Sequence, residues 1–177
     1  VKESSVAALL GTAGVTVGLA LQGGLANLAG GVLLLLFKPF VVGDYIIQDQ
    51  SNGCEGTVAK IEICYTTLLS IDNKKIVVPN GTLSNSTIIN VTAKENRKLE
   101  IKVGISYEAD IQKAKRIIEK ILREDADTKS DTKEMVVFVD ELADSAVIMG
   151  LRVWVSTERY WPTKWRLNQK IKEEFDA

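Results

Sequence analysis

One long apolar run opens this chain, and alternating polar patterns follow it. The run, Val6–Phe37, holds 32 residues and no charged side chain. Because about 20 apolar residues suffice for a helix to cross a bilayer, the run predicts a membrane-spanning helix. A straight helix of this length would reach roughly 48 Å, against a hydrocarbon core of about 30 Å. We therefore expect a hinge at Gly23-Gly24, with one helix over Val6–Gln22 and another over Leu25–Phe37.

The first of these helices is rich in small residues, which is typical of helices that pack closely in membranes. One face of the helical wheel carries Gly11, Gly14 and Gly18. A second face, roughly 150° away when residues are placed about 100° apart, carries Ala13, Thr16 and Ala20. Two small faces favour a ring in which each glycine face packs against the alanine face of a neighbour. Val15 and Leu19 lie between the faces and would form apolar rings around a pore.

These residues alone also allow interpretations of the apolar run other than a pore helix. A helix packed inside a single-chain bundle, or a lone membrane anchor, also contains small residues at this spacing. A secretory signal fits less well, because its apolar core is only about 7–15 residues long and a small-residue cleavage site should follow it.

The second predicted helix is amphipathic and suits the membrane interface. Its apolar face carries Leu25, Leu28, Ala29, Val32, Leu33 and Leu36. Asn27, Gly30 and Gly31 lie elsewhere on the wheel. Lys38 stands at the C-terminal end and Pro39 ends the helix.

From Phe40 the period changes to that of strands. We expect strands over Phe40–Gln48, interrupted at Gly43-Asp44, and over Thr57–Ile71 and Lys74–Pro79. Turns are predicted at Asp72-Asn73 and at Pro79–Gly81. Short strands separated by frequent turns predict a small β-barrel domain.

The last part of the chain predicts an α/β domain. Its elements are a strand over Arg97–Tyr107, a helix over Ala109–Asp125, strands over Glu134–Leu142 and Ala146–Ser156, and a helix over Tyr160–Phe175. The order β-α-β-β-α matches a ferredoxin-like domain without its last strand. The predicted fold class is therefore a membrane protein of the α+β class.

Composition argues against several classes of function. With 22 Lys and Arg against 23 Asp and Glu, the net charge of −1 gives no electrostatic case for nucleic-acid binding.

The residues that usually bind zinc are scarce in this sequence. It has two cysteines, Cys54 and Cys64, and no histidine, which is not the ligand set of any familiar zinc site. We expect both thiols to be reduced. No phosphate-binding loop or catalytic motif is present, so neither an enzyme nor a cofactor is predicted. An aromatic cage of Trp154, Trp161 and Trp165 is less favoured than core or interface packing.

The segment Gly18–Ile46, followed by Val77–Gly81, resembles the pore helix and β-domain of the MscS-like small-conductance mechanosensitive channels. The resemblance runs from about Val6 to the end of the chain and rests on the combination LQG, N, G, PF, GD and VPN in that order. It implies a homoheptamer of kinked pore helices in the cell inner membrane. It also implies an Sm-like β-domain and a ferredoxin-like domain in the cytoplasm, with limits at 1–38, 39–93 and 94–177.

The resemblance also assigns roles to single residues. The pore constriction of the family falls on Val15 and Leu19. A leucine is more usual at the position of Val15, so the ring of side chains there is predicted to be smaller than in most of the family. Leu25 and Asn27 are expected to transmit force from the membrane. A local cap or packing role at a helix kink is the alternative for Asn27.

The predicted function is the pore-forming subunit of a mechanosensitive channel that membrane tension opens, so that ions and small solutes leave on hypo-osmotic shock. Membrane lipid and further copies of the chain are the expected partners. The alternative is a membrane-anchored oligomeric scaffold whose cytoplasmic domains bind partners. The resemblance implies outer transmembrane helices and a C-terminal strand beyond these residues, so we expect a fragment or part of a chimera.

Overall fold

A computed structural model describes residues 3–49, 53–129 and 134–176 of the chain. The backbone divides into two compact units, Val1–Ala93 and Lys94–Ala177. The division into three domains, with a further limit after residue 38, stays a prediction.

The apolar run forms one helix, α1, over Glu3–Phe37. The prediction of two helices separated at Gly23-Gly24 is wrong for this structure, because α1 continues through both glycines. Glycine weakens a helix by only about 1 kcal/mol relative to alanine, which is too little to interrupt a helix of 35 residues. The helix ends at Lys38, whose φ of 46° is left-handed and whose N–H donates to the carbonyl of Leu34 at 3.0 Å.

A five-stranded antiparallel sheet forms the rest of the first unit. Its strands are β1 (Tyr45–Gln48), β2 (Glu55–Ile61), β3 (Tyr65–Leu69), β4 (Lys75–Pro79) and β5 (Ile88–Asn90), and a short helix, α2 (Asn80–Ser84), precedes β5. The strand order is β4-β3-β2-β1-β5. Among the described residues, hydrogen bonds therefore do not join the edge strands β4 and β5 into a closed barrel.

Two local predictions in this sheet are wrong. The single strand predicted over Thr57–Ile71 is a hairpin of β2 and β3, in which the N–H of Glu62 donates to the carbonyl of Tyr65 at 2.8 Å. The turn predicted after Pro79 is the start of α2. Alternating side chains continue across the hairpin, so the hydrophobic pattern alone did not indicate its position.

The core of the first unit includes residues from α1 and α2 as well as from the sheet. Its buried members are Leu34, Phe40, Ile46, Val58, Leu68, Val78 and Leu83. Leu34 lies in the last turn of α1 and Leu83 lies in α2. The C-terminal end of the apolar helix is therefore an integral part of this unit.

The second unit has the predicted order β-α-β-β-α, which is confirmed. Its elements are β6 (Asn96–Ile105), α3 (Ile111–Glu124), β7 (Val136–Leu142), β8 (Val147–Ser156), a 3-10 turn (Thr157–Arg159) and α4 (Tyr160–Asp176). The strands form an antiparallel sheet in the order β6-β8-β7. Both helices contribute to the core, which includes Leu99, Ile118, Leu122, Leu151, Val153 and Leu167.

A nearly buried ion pair connects α3 with α4. The side chain of Asp125 is only 2% exposed, and its two oxygens accept from Nε and Nη2 of Arg166 at 2.7 and 2.8 Å. Nη2 of Arg166 also donates to Asp127 at 2.7 Å. Burial raises the pKa of the Asp125 carboxyl, but the hydrogen bonds from Arg166 and from the backbone of Asp127 outweigh burial and lower it overall.

Candidate functional site

The first two thirds of α1 are not covered by any other part of the chain that the structure describes. Every residue from 4 to 26 is exposed, including Val15 and Leu19. Next to Gly11, Gly14 and Gly18, no atom of the described residues, apart from those of the adjoining helix backbone, lies within 4 Å of the position that a Cβ would take. The small faces and the sector between them are thus open surfaces, and their packing and pore roles stay predictions.

The two threonine hydroxyls on this exposed helix donate to its own backbone. Oγ1 of Thr12 donates to the carbonyl of Ala8 at 2.8 Å, and Oγ1 of Thr16 donates to the carbonyl of Thr12 at 2.9 Å. Such bonds to the preceding turn leave no donor to desolvate when the helix enters apolar surroundings. Thr16 can therefore pack as a small residue, as its predicted place on the alanine face requires.

The last third of α1 packs against the rest of the first unit through Gly30 and Gly31 as well as Leu34. Gly30, Gly31 and Leu34 are buried, and Asn27 is half-buried. A Cβ on Gly30 would lie 2.7 Å from the backbone of Asn80, and one on Gly31 would lie 2.0 Å from the carbonyl oxygen of Ile63. Only glycine allows the helix to approach the sheet this closely.

Hydrogen bonds fix this contact, which we call the helix–sheet joint (Asn27, Gly30, Gly31, Asn80 and Gly81). Oδ1 of Asn27 accepts from the N–H of Gly81 at 3.1 Å. The fully buried Asn80 donates from Nδ2 to the carbonyl of Glu62 at 2.7 Å, and its Oδ1 accepts from Oγ1 of Thr66 at 2.7 Å. Through Asn80, α2 is held to the hairpin of β2 and β3.

The sequence prediction found only part of this joint. Asn27 lies in it, whereas Leu25 is exposed beside it. The glycine pair of α1 and the Asn80-Gly81 pair were not predicted to touch. A usable signal was present, because Asn27, Gly30, Gly31 and Leu34 follow the spacing i, i+3, i+4 and i+7 of one helix face.

Comparison with known proteins identifies the family. The family described as "Mechanosensitive ion channel, beta-domain" matches residues 24–93, and "Mechanosensitive ion channel MscS, C-terminal" matches residues 99–177. The crystal structure of Helicobacter pylori MscS in its closed state superposes with a TM-score of 0.88 at 30% identity, over 100% of this chain and 69% of that one. The chain belongs to the MscS family of mechanosensitive channels. The predicted resemblance and fold class are thereby confirmed.

Relatives in the MscS family share the sequence over nearly the whole chain. A small-conductance mechanosensitive channel of Edwardsiella ictaluri is 40% identical over 93% of this chain and 56% of its own length. An MscS family protein of Buchnera aphidicola is 36% identical over 100% of this chain and 62% of its own length. This chain thus spans about three fifths of these relatives. They are channel-family proteins rather than enzymes, which is consistent with the prediction of no catalytic activity.

Proposed function

We propose that this MscS-family chain is the pore-forming subunit of a tension-gated channel that releases ions and small solutes on hypo-osmotic shock. The observation that carries the proposal is that α1 carries no charge from Ser4 to Phe37, a span long and apolar enough to cross a membrane, and is exposed over residues 4–26. Lipid on one side and neighbouring copies on the others would cover it. The hydroxyls of Thr12 and Thr16, which are bonded within the helix, support the same surroundings.

The assembly that we propose is a homo-oligomer, a heptamer by analogy with the family. Gly11, Gly14 and Gly18 of one copy would pack against Ala13, Thr16 and Ala20 of the next. Open space beside all three glycines supports such an approach. Val15 and Leu19 would then face the axis as apolar rings that stop ions by excluding water.

The helix–sheet joint supports a route for force. Membrane tension would act on the exposed residues of α1, which include Leu25. The force would reach the β-sheet through Asn27 and through the close contact of Gly30 and Gly31 with α2. Gly23 and Gly24 lie directly before this joint and have open space around them, so they are the proposed position of bending between states. The β-sheet unit and the α/β unit would lie in the cytoplasm, below the inner membrane.

Electrical recording tests this proposal against the scaffold alternative. The intact protein is reconstituted in liposomes, and suction is applied to an excised patch. A tension-gated pore gives current steps that become more frequent as suction rises. An assembled oligomer that passes no current at any suction below membrane rupture would favour the scaffold.

A further inference from the structure

The segment that follows α1 is a tight turn with two exposed valines, which we call the valine turn (residues 38–44). The N–H of Asp44 donates to the carbonyl of Val41 at 3.1 Å, and Gly43 at the third position has a φ of 100°. These are the features of a type II β-turn, in which the third residue must adopt a positive φ. Val42 takes the second position, where proline is common in such turns.

The conformation of the valine turn is fixed from several sides. Oδ2 of Asp44 accepts from the N–H of Val41 at 2.9 Å and from Nδ2 of Asn90 at 2.8 Å. The N–H of Gly43 donates to the carbonyl of Val58 at 2.8 Å. These bonds hold the turn against β2 and β5. The fold itself therefore keeps the two valine side chains exposed.

The two valines come shortly after exposed apolar residues at the end of α1 in the sequence. Val41 is 47% and Val42 is 58% exposed, and they follow Leu36 and Phe37, which are 69% and 73% exposed. Surface turns usually carry Gly, Pro, Asn, Asp or Ser, each for a conformational or hydrogen-bonding reason that valine lacks. A fixed turn with two aliphatic side chains is therefore suited to an apolar partner.

The charges of the turn favour a lipid surface as that partner. The carboxylate of Asp44 is engaged by Val41 and Asn90 on the protein side of the turn. Lys38 is exposed at the end of the uncharged run. A lysine next to exposed apolar residues can bury its aliphatic stem and place its ammonium among lipid phosphates.

We propose that the valine turn lies in the bilayer interface, with Val41 and Val42 at the boundary between headgroups and acyl chains and Lys38 beside the phosphates. The β-sheet unit then has its own lipid contact, independent of α1. This inference rests on the proposed membrane position of α1.

Site-directed fluorescence in liposomes tests the inference. In the intact protein, Cys54→Ser and Cys64→Ser remove the native thiols, and serine keeps a donor for the contact of Cys54 with Gln48. A small fluorophore is then attached in separate proteins at Val41→Cys or Val42→Cys. Leu36→Cys on α1 serves as the lipid control, and Ile71→Cys on the exposed β3–β4 turn serves as the aqueous control. Lipids that carry a nitroxide near the headgroup, and iodide in the buffer, are the quenchers.

The expected result is that lipid nitroxide quenches the labels at residues 41 and 42 to an extent comparable with residue 36, while residue 71 responds to iodide alone. Iodide quenching without lipid quenching at residues 41 and 42 would overturn the inference. Protection from both quenchers would overturn it as well, because another protein surface would then cover the turn. If residue 36 is not quenched by lipid either, the inference is overturned, whereas the proposed function rests on residues 4–26 of α1 and is decided by the patch recordings.

Discussion

Oδ1 of Asn27 and the backbone N–H of Gly81, 54 residues apart in sequence, are joined by a hydrogen bond of 3.1 Å. This bond lies beside Gly30, which allows α1 to touch the backbone of α2, and Gly31, which allows it to touch the backbone of Ile63. The long apolar helix and the β-sheet are thus connected through a contact that leaves no room for another side chain. A displacement of the end of α1 must therefore move α2 or break the joint.

The joint should not tolerate a methyl group. In Gly31→Ala the new Cβ would lie 2.0 Å from the carbonyl oxygen of Ile63, and backbone cannot yield as a flexible side chain does. We expect a loss of about 1–3 kcal/mol in the free energy of unfolding, as for other overpacked sites. Thermal unfolding in detergent measures it. Gly24→Ala, with open space around it, is the control and should be neutral or stabilising.

Asn27→Ala is a milder change, and it distinguishes an effect on force transmission through the joint from an effect on folding. Asn27→Ala removes the bond to Gly81, at a cost of about 0.5–1.5 kcal/mol, and leaves the glycine contact in place. If the joint transmits force, the tension threshold in patch recordings should shift while expression and oligomer size stay unchanged. An unchanged threshold would restrict Asn27 to local packing.

The small faces of α1 should be sensitive to bulk if neighbouring copies pack there. Gly14→Val or Ala20→Val should keep adjacent helices apart and alter gating or assembly. Val17→Leu, on the opposite side of the wheel, is the matched control. Normal conductance and threshold in both small-face variants would exclude this packing.

Gly23→Ala tests the proposed bending position. The helix of this structure is already continuous there, and alanine favours a continuous helix by about 1 kcal/mol over glycine. A channel that bends at residue 23 should therefore close or desensitise at a changed rate. Closing kinetics after a step of suction are the measurement, and unaltered kinetics would assign the bend elsewhere.

Leu19→Ser tests the proposed apolar gate. A hydroxyl ring would retain water in the closed pore, so we expect a lower tension threshold and poor growth of cells even without osmotic shock. Val15→Ser should act in the same direction but less, because the valine ring is smaller. A raised threshold, or a silent channel with an intact oligomer, would mean that Leu19 does not line the pore.

The Asp125–Arg166 pair predicts acid sensitivity of the α/β unit. The pKa of Asp125 is lowered in the folded state. Its contribution to the free energy of unfolding is therefore present above the ordinary pKa of an aspartate and is lost as the pH falls through the pKa of the folded state. Asp125→Asn should cost about 2–3 kcal/mol near neutral pH, less than a fully buried pair since Arg166 is a third exposed. It should also flatten the loss of stability below about pH 4.

Denaturant unfolding followed by tryptophan fluorescence measures this effect, since Trp154, Trp161 and Trp165 all lie in the α/β unit. Lys172→Ala removes an exposed ion pair with Asp176 on α4 and is the control, with little expected change. Equal acid sensitivity in Asp125→Asn and the unaltered protein would assign the sensitivity to other groups.

The sequence by itself determined the elements whose stability is local. The uncharged run predicted a long apolar helix. The apolar residues Ile118, Ile121 and Leu122 have the spacing of one helix face, and this face is the buried side of α3, because a helix repeats its contacts every three to four residues. The order of strands and helices in the α/β unit followed from the same periodicities. The motif around Gly18–Ile46 and Val77–Gly81 was sufficient to indicate the family.

Only the tertiary structure decided where distant segments meet. The continuity of α1 through Gly23-Gly24 depends on the balance between weak glycine propensity and the hydrogen bonds of the whole helix. The joint between Gly31 and Ile63 exists because the β2–β3 hairpin and α2 bring backbone to the part of α1 where Gly30 and Gly31 carry no side chain. A glycine in the sequence shows only that no Cβ is present at that position. The packing of the rest of the fold decides which group lies in the space that the side chain leaves free.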